Sequence, residues 1–198
     1  FNQGYKIDPP MFDVWMRILK DVPESVLWLL VKGEIVKRNL RQEAEHRGVD
    51  AHRLHFAERL PKPDHLARLA LADLALDTRI YNGHTTSSDA LWAGVPVITV
   101  QGNHFASRVS SSILTASGLP ELITNSLEEY RNLAVRLARD LDQLEAVRRK
   151  LIGNRSARPL FDTPRFVRNL EKAYKKMWNI FLAGEKPRQI DVVEDSDT

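Results

Sequence analysis

Asn82-Gly83-His84-Thr85-Thr86-Ser87-Ser88-Asp89-Ala90-Leu91-Trp92-Ala93-Gly94-Val95-Pro96 is the stretch that decides the fold. Asn82-Gly83 is a turn dipeptide. Thr85 to Asp89 are residue types that sit poorly inside helices and well at their starts, so a short helix begins there. Gly94 and Pro96 close it on the expected side. The apolar run Val97-Ile98-Thr99-Val100 follows at once and reads as a buried strand. A helix N-terminus dense in hydroxyls, with one imidazole, therefore stands at the edge of an α/β sheet. Its free N–H groups and dipole suit an anion such as phosphate.

The same alternation extends outward from this stretch. On the N-terminal side, Leu74-Ala75-Leu76 reads as a strand, Lys62 to Ala72 as a helix, and Leu54-His55-Phe56 as a strand. Ile35 to Arg47 is an amphipathic helix stopped by Gly48, and Ser25 to Val31 is an apolar strand of the kind covered on both faces. Asp8-Pro9-Pro10 starts a helix that Val22-Pro23 ends, with Asp8 as its cap. Phe1 to Ile7 reads as the end of a strand running into a loop. On the C-terminal side, a helix spans Ala106 to Ser117 and stops at Gly118, and Leu122-Ile123 is an edge strand. Ser126 and Glu129 form a capping box for a helix that runs past Leu137, and a further helix covers Leu141 to Ile152. Thr163 to Ala183 is a long last helix with Tyr174 and Trp178 on its inner face. This predicts a Rossmann-like lobe over residues 1–184, followed by a disordered acidic tail over 185–198.

Strands alternating with helices imply an α/β fold with a doubly wound parallel sheet and right-handed crossovers. Ligands of such sheets sit beyond the carboxyl ends of the strands. Gln3, Lys6, Leu60, Lys62, His65, His84, Thr85 and Thr86 all follow predicted strands and should gather along one rim.

Bulk composition narrows the function classes. The chain has 198 residues, 43% hydrophobic and 28% charged, as in ordinary globular domains. A formal net charge of +3 is too weak to argue nucleic acid. The basic residues near the C-terminus, such as Arg148, Arg149 and Lys150, are interleaved with acids and read as a solvated helix face. Cysteine is absent, which excludes a disulfide scaffold and fits a reducing compartment. No apolar run is long enough for a membrane span, and no signal pattern opens the chain. The start at Phe1, without methionine, predicts further protein upstream.

Each candidate residue also has a plain structural reading. His84, Thr85 and Thr86 could cradle a diphosphate; a self-capped helix that binds nothing explains them equally well. Asp89 shares a helix face with Thr85 and could accept from a ribose diol, but alone it reads first as dipole compensation. Lys6 offers a point charge for a phosphate, although a lone lysine is usually solvated. Lys62, His65 and Arg68, three residues apart on one face, could embrace a nucleoside; an exposed basic face is the simpler reading. There is no HExxH, Walker A, GxSxG or clear GxGxxG motif, and no acidic cluster with metal-ligand spacing.

Several ordered segments together resemble a known family. They are Phe1-Asn2-Gln3-x-Tyr5-Lys6-Ile7-Asp8-Pro9, Val22-Pro23-x-Ser25-Val26-Leu27-Trp28-Leu29-Leu30, Leu76-Asp77-Thr78, Asn82-Gly83-His84-Thr85-Thr86 with Asp89-x-Leu91-Trp92-Ala93-Gly94, Ala106-x-Arg108-Val109 and Pro159-Leu160-Phe161-Asp162-Thr163. This series resembles the C-terminal catalytic lobe of the O-linked N-acetylglucosamine transferases and their SPINDLY-like relatives, up to about Gly184. The resemblance implies the donor-binding half of a GT-B glycosyltransferase, with the other lobe and a tetratricopeptide array upstream. It implies a metal-independent, inverting transfer of N-acetylglucosamine from UDP-GlcNAc to Ser/Thr hydroxyls, with UDP as product and no cofactor. Gln3 and Lys6 are then donor contacts, with Lys6 on the diphosphate. Leu60 backbone and the His65 side chain hold the uracil, Arg68 lies on the base side, and Lys62 and Asp89 meet the ribose. His84, Thr85 and Thr86 hold the diphosphate, so Lys6 and His84 are the candidate catalytic side chains. Protein acceptors would be received through the upstream repeats, in a cytoplasmic or, in a eukaryote, nucleocytoplasmic setting. The lone lobe would expose an apolar face and self-associate. Departures at Lys32-Gly33-Glu34 and Leu60 keep a GDP-fucose-dependent relative open beside the UDP-GlcNAc enzyme. A non-catalytic scaffold is the third reading.

Overall fold

A computed structural model describes residues 4–193. Gln3 and the acidic end, residues 194–198, lie outside the described residues. Asp8 caps α1 (Pro9–Asp21) by accepting the N–H of Met11 at 3.0 Å, as the Asp-Pro-Pro pattern predicts. The segment before it is not a strand at its end: Gly4–Lys6 forms a single 3-10 turn. Then follow β1 (Leu27–Leu30), α2 (Glu34–His46), β2 (Leu54–Ala57), α3 (Lys62–Leu69), β3 (Ala75–Leu76), α4 (Thr85–Trp92) and β4 (Val97–Val100). The second half holds α5 (Val109–Ala116), β5 (Ile123–Thr124), α6 (Leu127–Arg139), α7 (Leu141–Asn154) and α8 (Thr163–Leu182). Gly48, Gly94 and Gly118 end helices at φ of 69°, 82° and 75°, the left-handed conformation that makes glycine the natural stop.

Every strand pair is parallel, but the ladder is in two parts. β1 pairs with β2 from Leu27↔Leu54 to Leu30↔Ala57. β4 lies between β3, through Leu76↔Ile98, and β5, through Thr99↔Ile123. A cavity of about 480 Å³ separates the two ladders, walled by Leu27 and Trp28 on one side and Ala75 and Leu76 on the other. The expectation of one continuous doubly wound sheet is therefore met in strand direction and alternation, with a break between β1 and β3.

The core forms where α1 and α6 pack together and α6 covers β4. Met11, Trp15, Met16 and Leu19 from α1 meet Tyr130, Leu133 and Leu137 from α6, and all are buried. Tyr130 is fully buried and needs a partner for its hydroxyl. It accepts from Trp15 Nε1 at 3.3 Å and donates to the carbonyl of Asp77 at 3.0 Å, joining α1, α6 and the end of β3.

Three local expectations need correction. The helix expected over 106–117 is two pieces, a 3-10 turn at Phe105–Ser107, whose end takes the Gly102 N–H on the Ser107 carbonyl at 2.9 Å, and then α5. The Ser126 side chain accepts the Glu129 N–H at 3.1 Å, but the Glu129 carboxylate takes the N–H of Asn125 rather than that of Ser126. Tyr174 and Trp178 do not face inward: they are 57% and 59% exposed, and α8 has no buried residue. The helical period of its apolar positions is genuine, yet the described lobe offers no surface to cover them. Residues 185–193 hold no helix or strand, and Lys176 Nζ donates to the Asp191 carbonyl at 2.5 Å. Among the described residues no helix is long and apolar enough to cross a membrane.

Replacing Tyr130 with Phe keeps the ring and leaves the Trp15 N–H and the Asp77 carbonyl without their buried partner. We expect a loss of about 1–3 kcal/mol in urea denaturation with an unchanged slope. An unchanged midpoint would show that the hydroxyl carries no weight.

Candidate functional site

The loop between β3 and α4 is built on one buried carboxylate. Asp77 follows β3 and is 3% exposed. Its Oδ1 accepts the N–H of Gly83 at 2.7 Å, and its Oδ2 accepts the Thr99 hydroxyl of β4 at 2.9 Å. Burial pushes this carboxyl above its ordinary range, while hydrogen bonds from Ser110, Gly83, Thr99 and Thr78 pull it back. Asn82, fully buried, donates its amide to the Thr78 carbonyl at 2.7 Å and accepts the Ser110 N–H at 3.3 Å. The Ser110 hydroxyl, at the start of α5, donates to the Gly83 carbonyl at 3.0 Å. Asn82-Gly83 is thus no simple turn. Gly83 has no positive φ; it is needed for space, because a Cβ there would lie 2.2 Å from Ser87 Oγ and 2.7 Å from Thr86 Oγ1.

This loop delivers His84 to the start of α4. His84 is the N-cap residue, yet its side chain makes no capping bond. Its Nε2 is buried and has no hydrogen-bond partner among the described residues. The ring meets Tyr81 edge-on at 5.4 Å between centroids and Phe105 at 6.1 Å. A buried imidazole nitrogen without a partner costs free energy unless a ligand supplies one. Thr85 is exposed and Thr86 half-buried in the first turn of the same helix.

Lys6 reaches this loop from 76 residues away, donating Nζ to the Asn82 carbonyl at 2.8 Å. Burial holds its ammonium below the ordinary lysine value, and the charge of Asp77 opposes that shift. Asp8, two residues on, receives Arg79 Nε at 3.0 Å, which ties the Lys6 segment to the loop a second time. An ammonium and a helix start therefore converge at the carboxyl end of β3, as an anion site requires.

The other candidates lie on α3, which packs against α4. Lys62 Nζ meets Asp89 Oδ1 at 2.5 Å, with Asp89 14% exposed and Lys62 55%. His65 Nδ1 lies 3.1 Å from an Arg68 guanidinium nitrogen, and Arg68 also donates to the Glu58 carbonyl at 2.8 Å. His65 is held below its ordinary value, first by burial and then by Arg68. Lys62, His65, Arg68 and Asp89 are thus one group, and Lys6, His84, Thr85 and Thr86 another, with α4 shared between them. Leu60 is exposed just before α3. Gln3 lies outside the described residues.

The sequence model of glycosyl transferase family 41 matches residues 1–170. The chain belongs to glycosyl transferase family 41. A probable UDP-N-acetylglucosamine–peptide N-acetylglucosaminyltransferase SEC from Arabidopsis thaliana is 44% identical over 98% of this chain and 20% of its own length. The UDP-N-acetylglucosamine–peptide N-acetylglucosaminyltransferase of Caenorhabditis elegans is 41% identical over 93% of this chain and 16% of its own. A probable UDP-N-acetylglucosamine–peptide N-acetylglucosaminyltransferase SPINDLY from Hordeum vulgare is 34% identical over 98% of this chain and 21% of its own. Among solved structures, a mutant of the Thermobaculum terrenum O-GlcNAc transferase superposes with a TM-score of 0.82 at 38% identity, over 87% of this chain and 34% of that one. The chain therefore spans about a fifth of the length of these curated relatives. Its α/β fold with parallel strands matches a fragment of the GT-B catalytic domain of that structure.

Within this family-41 lobe, sequence reasoning assigned no role to Asp77 or Tyr81. Asp77 carried a signal: a lone acid directly after an apolar strand and ahead of Asn82-Gly83 has no place in the core unless the loop needs it. Tyr81 carried none, since its neighbours are set by the folded loop.

Gly83→Ala forces Thr86 and Ser87 to move. We expect it to destabilise the lobe by about 1–3 kcal/mol, read as a lower urea midpoint. A midpoint equal to that of the parent would mean that the loop has room to spare.

Proposed function

We propose that this chain is the donor-binding lobe of a metal-independent, inverting protein O-glycosyltransferase that moves N-acetylglucosamine from UDP-GlcNAc to Ser/Thr hydroxyls. The observation that carries this reading is that the Lys6 ammonium, the start of α4 and His84, whose Nε2 has no hydrogen-bond partner among the described residues, all meet the Tyr81–Asn82 segment. UDP-GlcNAc is preferred over GDP-fucose because the relatives from Arabidopsis thaliana, Caenorhabditis elegans and Hordeum vulgare all carry UDP-N-acetylglucosamine in their names.

In this reading the acceptor hydroxyl oxygen attacks the anomeric carbon, its proton passing to a base of the upstream lobe, and the bond to the diphosphate oxygen breaks with its electron pair. Charge grows on the departing diphosphate. Lys6, His84 and the first turn of α4, with Thr85 and Thr86, meet that charge with donors already in place. Lys62 and Asp89 face the ribose: their ion pair keeps the carboxylate compensated until the diol arrives. His65 and Arg68 form the base side with the Leu60 backbone, and Gln3 is a further donor contact. Residues 1–184 form the lobe, with residues 185–198 as an appended tail. The second lobe and the acceptor-binding repeats belong to the upstream protein, in a cytoplasmic setting. The uncovered stripe on α8, including Phe166, Tyr174, Trp178 and Phe181, is then the surface that the other lobe covers, or that a second copy covers in the isolated chain.

The test is transfer by the full-length protein to Ser/Thr peptides, read by mass spectrometry with each donor in turn. Product is expected from UDP-GlcNAc. Product from GDP-fucose alone would favour the SPINDLY-like alternative, and none from either would favour the scaffold. Lys6→Ala should lower turnover by about 100-fold or more, the scale of a lost charge-stabilising donor, with the fold intact. The lowered value of Lys6 sets the sign of the pH dependence. The ammonium is present below its pKa and lost above it, so turnover should fall on the alkaline side sooner than for an ordinary lysine. Lys6→Arg, charged throughout, should abolish that alkaline limb even if its rate is lower. A limb that persists in Lys6→Arg would belong to another group.

A further inference from the structure

Between Lys6 and His84 stands a side chain with no role in the reading above. The Tyr81 ring centroid lies 4.0 Å from Lys6 Nζ. The same ring meets the His84 imidazole at 5.4 Å with an interplanar angle of 70°. Tyr81 is itself held: its carbonyl accepts the Thr78 hydroxyl at 2.7 Å, and Tyr5 packs on it at 6.3 Å. It is 39% exposed, so it borders the rim and is not part of the core.

The physics of these contacts is directional. A ring face attracts an ammonium through its quadrupole, more strongly as water is excluded. A lysine stem has large rotamer freedom, and a second contact restricts it. Lys6 Nζ has three N–H groups. The Asn82 carbonyl takes one at 2.8 Å, and the ring face attracts the cation from another direction. What remains is a donor on the side away from both, available to an anion. The imidazole meanwhile rests on the same ring, so one side chain sets the spacing between the two groups.

We propose that Tyr81 is a positioning residue for the transfer reaction: its ring holds the Lys6 ammonium and the His84 imidazole at the separation that a nucleoside diphosphate leaving group spans. This rests on the reading of Lys6 and His84 as the diphosphate-binding pair. Tyr81 touches neither donor nor acceptor; it acts through the two groups that do. Its hydroxyl has no part in this, so Phe should replace it and an aliphatic residue should not.

The experiment uses the full-length protein with UDP-GlcNAc and an acceptor peptide. Tyr81→Leu should lower kcat about tenfold, the rate equivalent of a partly desolvated cation–ring contact, with KM for the donor changed less than kcat. Tyr81→Phe should restore kcat to within about twofold of the parent. In a double-mutant cycle, Tyr81→Leu should have a clearly smaller effect once Lys6 is Ala, because only its contact with His84 is then left to lose. A merely structural role would instead multiply in full with Lys6→Ala and would lower the urea midpoint of Tyr81→Leu in step with kcat. Parent-like kcat in Tyr81→Leu, failure of Phe to rescue, or independent effects in the cycle each overturn the inference. Calorimetry with UDP on the parent separates the two levels. A parent that binds no UDP overturns the functional reading together with this inference. A parent that binds UDP, with kcat insensitive to Tyr81→Leu, overturns this inference alone.

Discussion

The site depends on a carboxylate buried where no charge would rest without compensation. Asp77 is taken out of water at the end of β3, and the cost of that burial is offset only by donors brought from elsewhere. Those donors include the Gly83 N–H and the Thr99 hydroxyl, at 2.7 and 2.9 Å, with Ser110 of α5 and Thr78 beside them. The next carbonyl bond in the chain of contacts runs from Asp77 to Tyr130 on α6, and from there to Trp15 on α1. A loop that would otherwise be mobile is thereby fixed to β4, α5, α6 and α1 at once. The position of His84 follows from the Gly83 bond one residue before it.

A second docking gives the loop its cation. Asp8 serves two ends: it caps α1 through the Met11 N–H and pairs with Arg79 in the loop. The start of α1 and the β3–α4 loop are therefore locked together, and Lys6 lies on the side of Asp8 from which it reaches the Asn82 carbonyl. Lys6 and His84 are far apart in sequence and adjacent in space because a helix cap and a buried carboxylate act together. An anion that binds between them meets groups already oriented, which is the physical meaning of preorganisation in such a site. Between α3 and α4, by contrast, Lys62 and Asp89 neutralise each other, so a ligand there must exchange an existing pair for its own hydrogen bonds.

Much of the framework was legible because it is local. Asp8 before two prolines, Ser126 before α6, and glycines at 48, 94 and 118 act within one turn of chain, and each behaves in the structure as its residue type requires. The rim position of His84, Thr85 and Thr86 followed from strand–helix alternation. What was illegible depends on partners far away in sequence. The partners of Asp77 come from β4, α5 and the following loop, and no spacing rule joins them. Gly83 read as a turn glycine, but its need is for close packing against Thr86 and Ser87. The break between β1 and β3 leaves no mark in either strand's apolar run. The period of α8 shows a stripe at Phe166, Tyr174 and Trp178, but a period cannot name the surface that covers it.

The central proposal is that Lys6 and His84 together hold a diphosphate. The most direct measurement is a calorimetric titration of the full-length protein with UDP and, separately, with uridine. The account predicts that UDP binds at least about tenfold more tightly than uridine, one charge-assisted contact being worth that much, and that Lys6→Ala removes most of the difference. Equal affinities for the nucleotide and the nucleoside would contradict it.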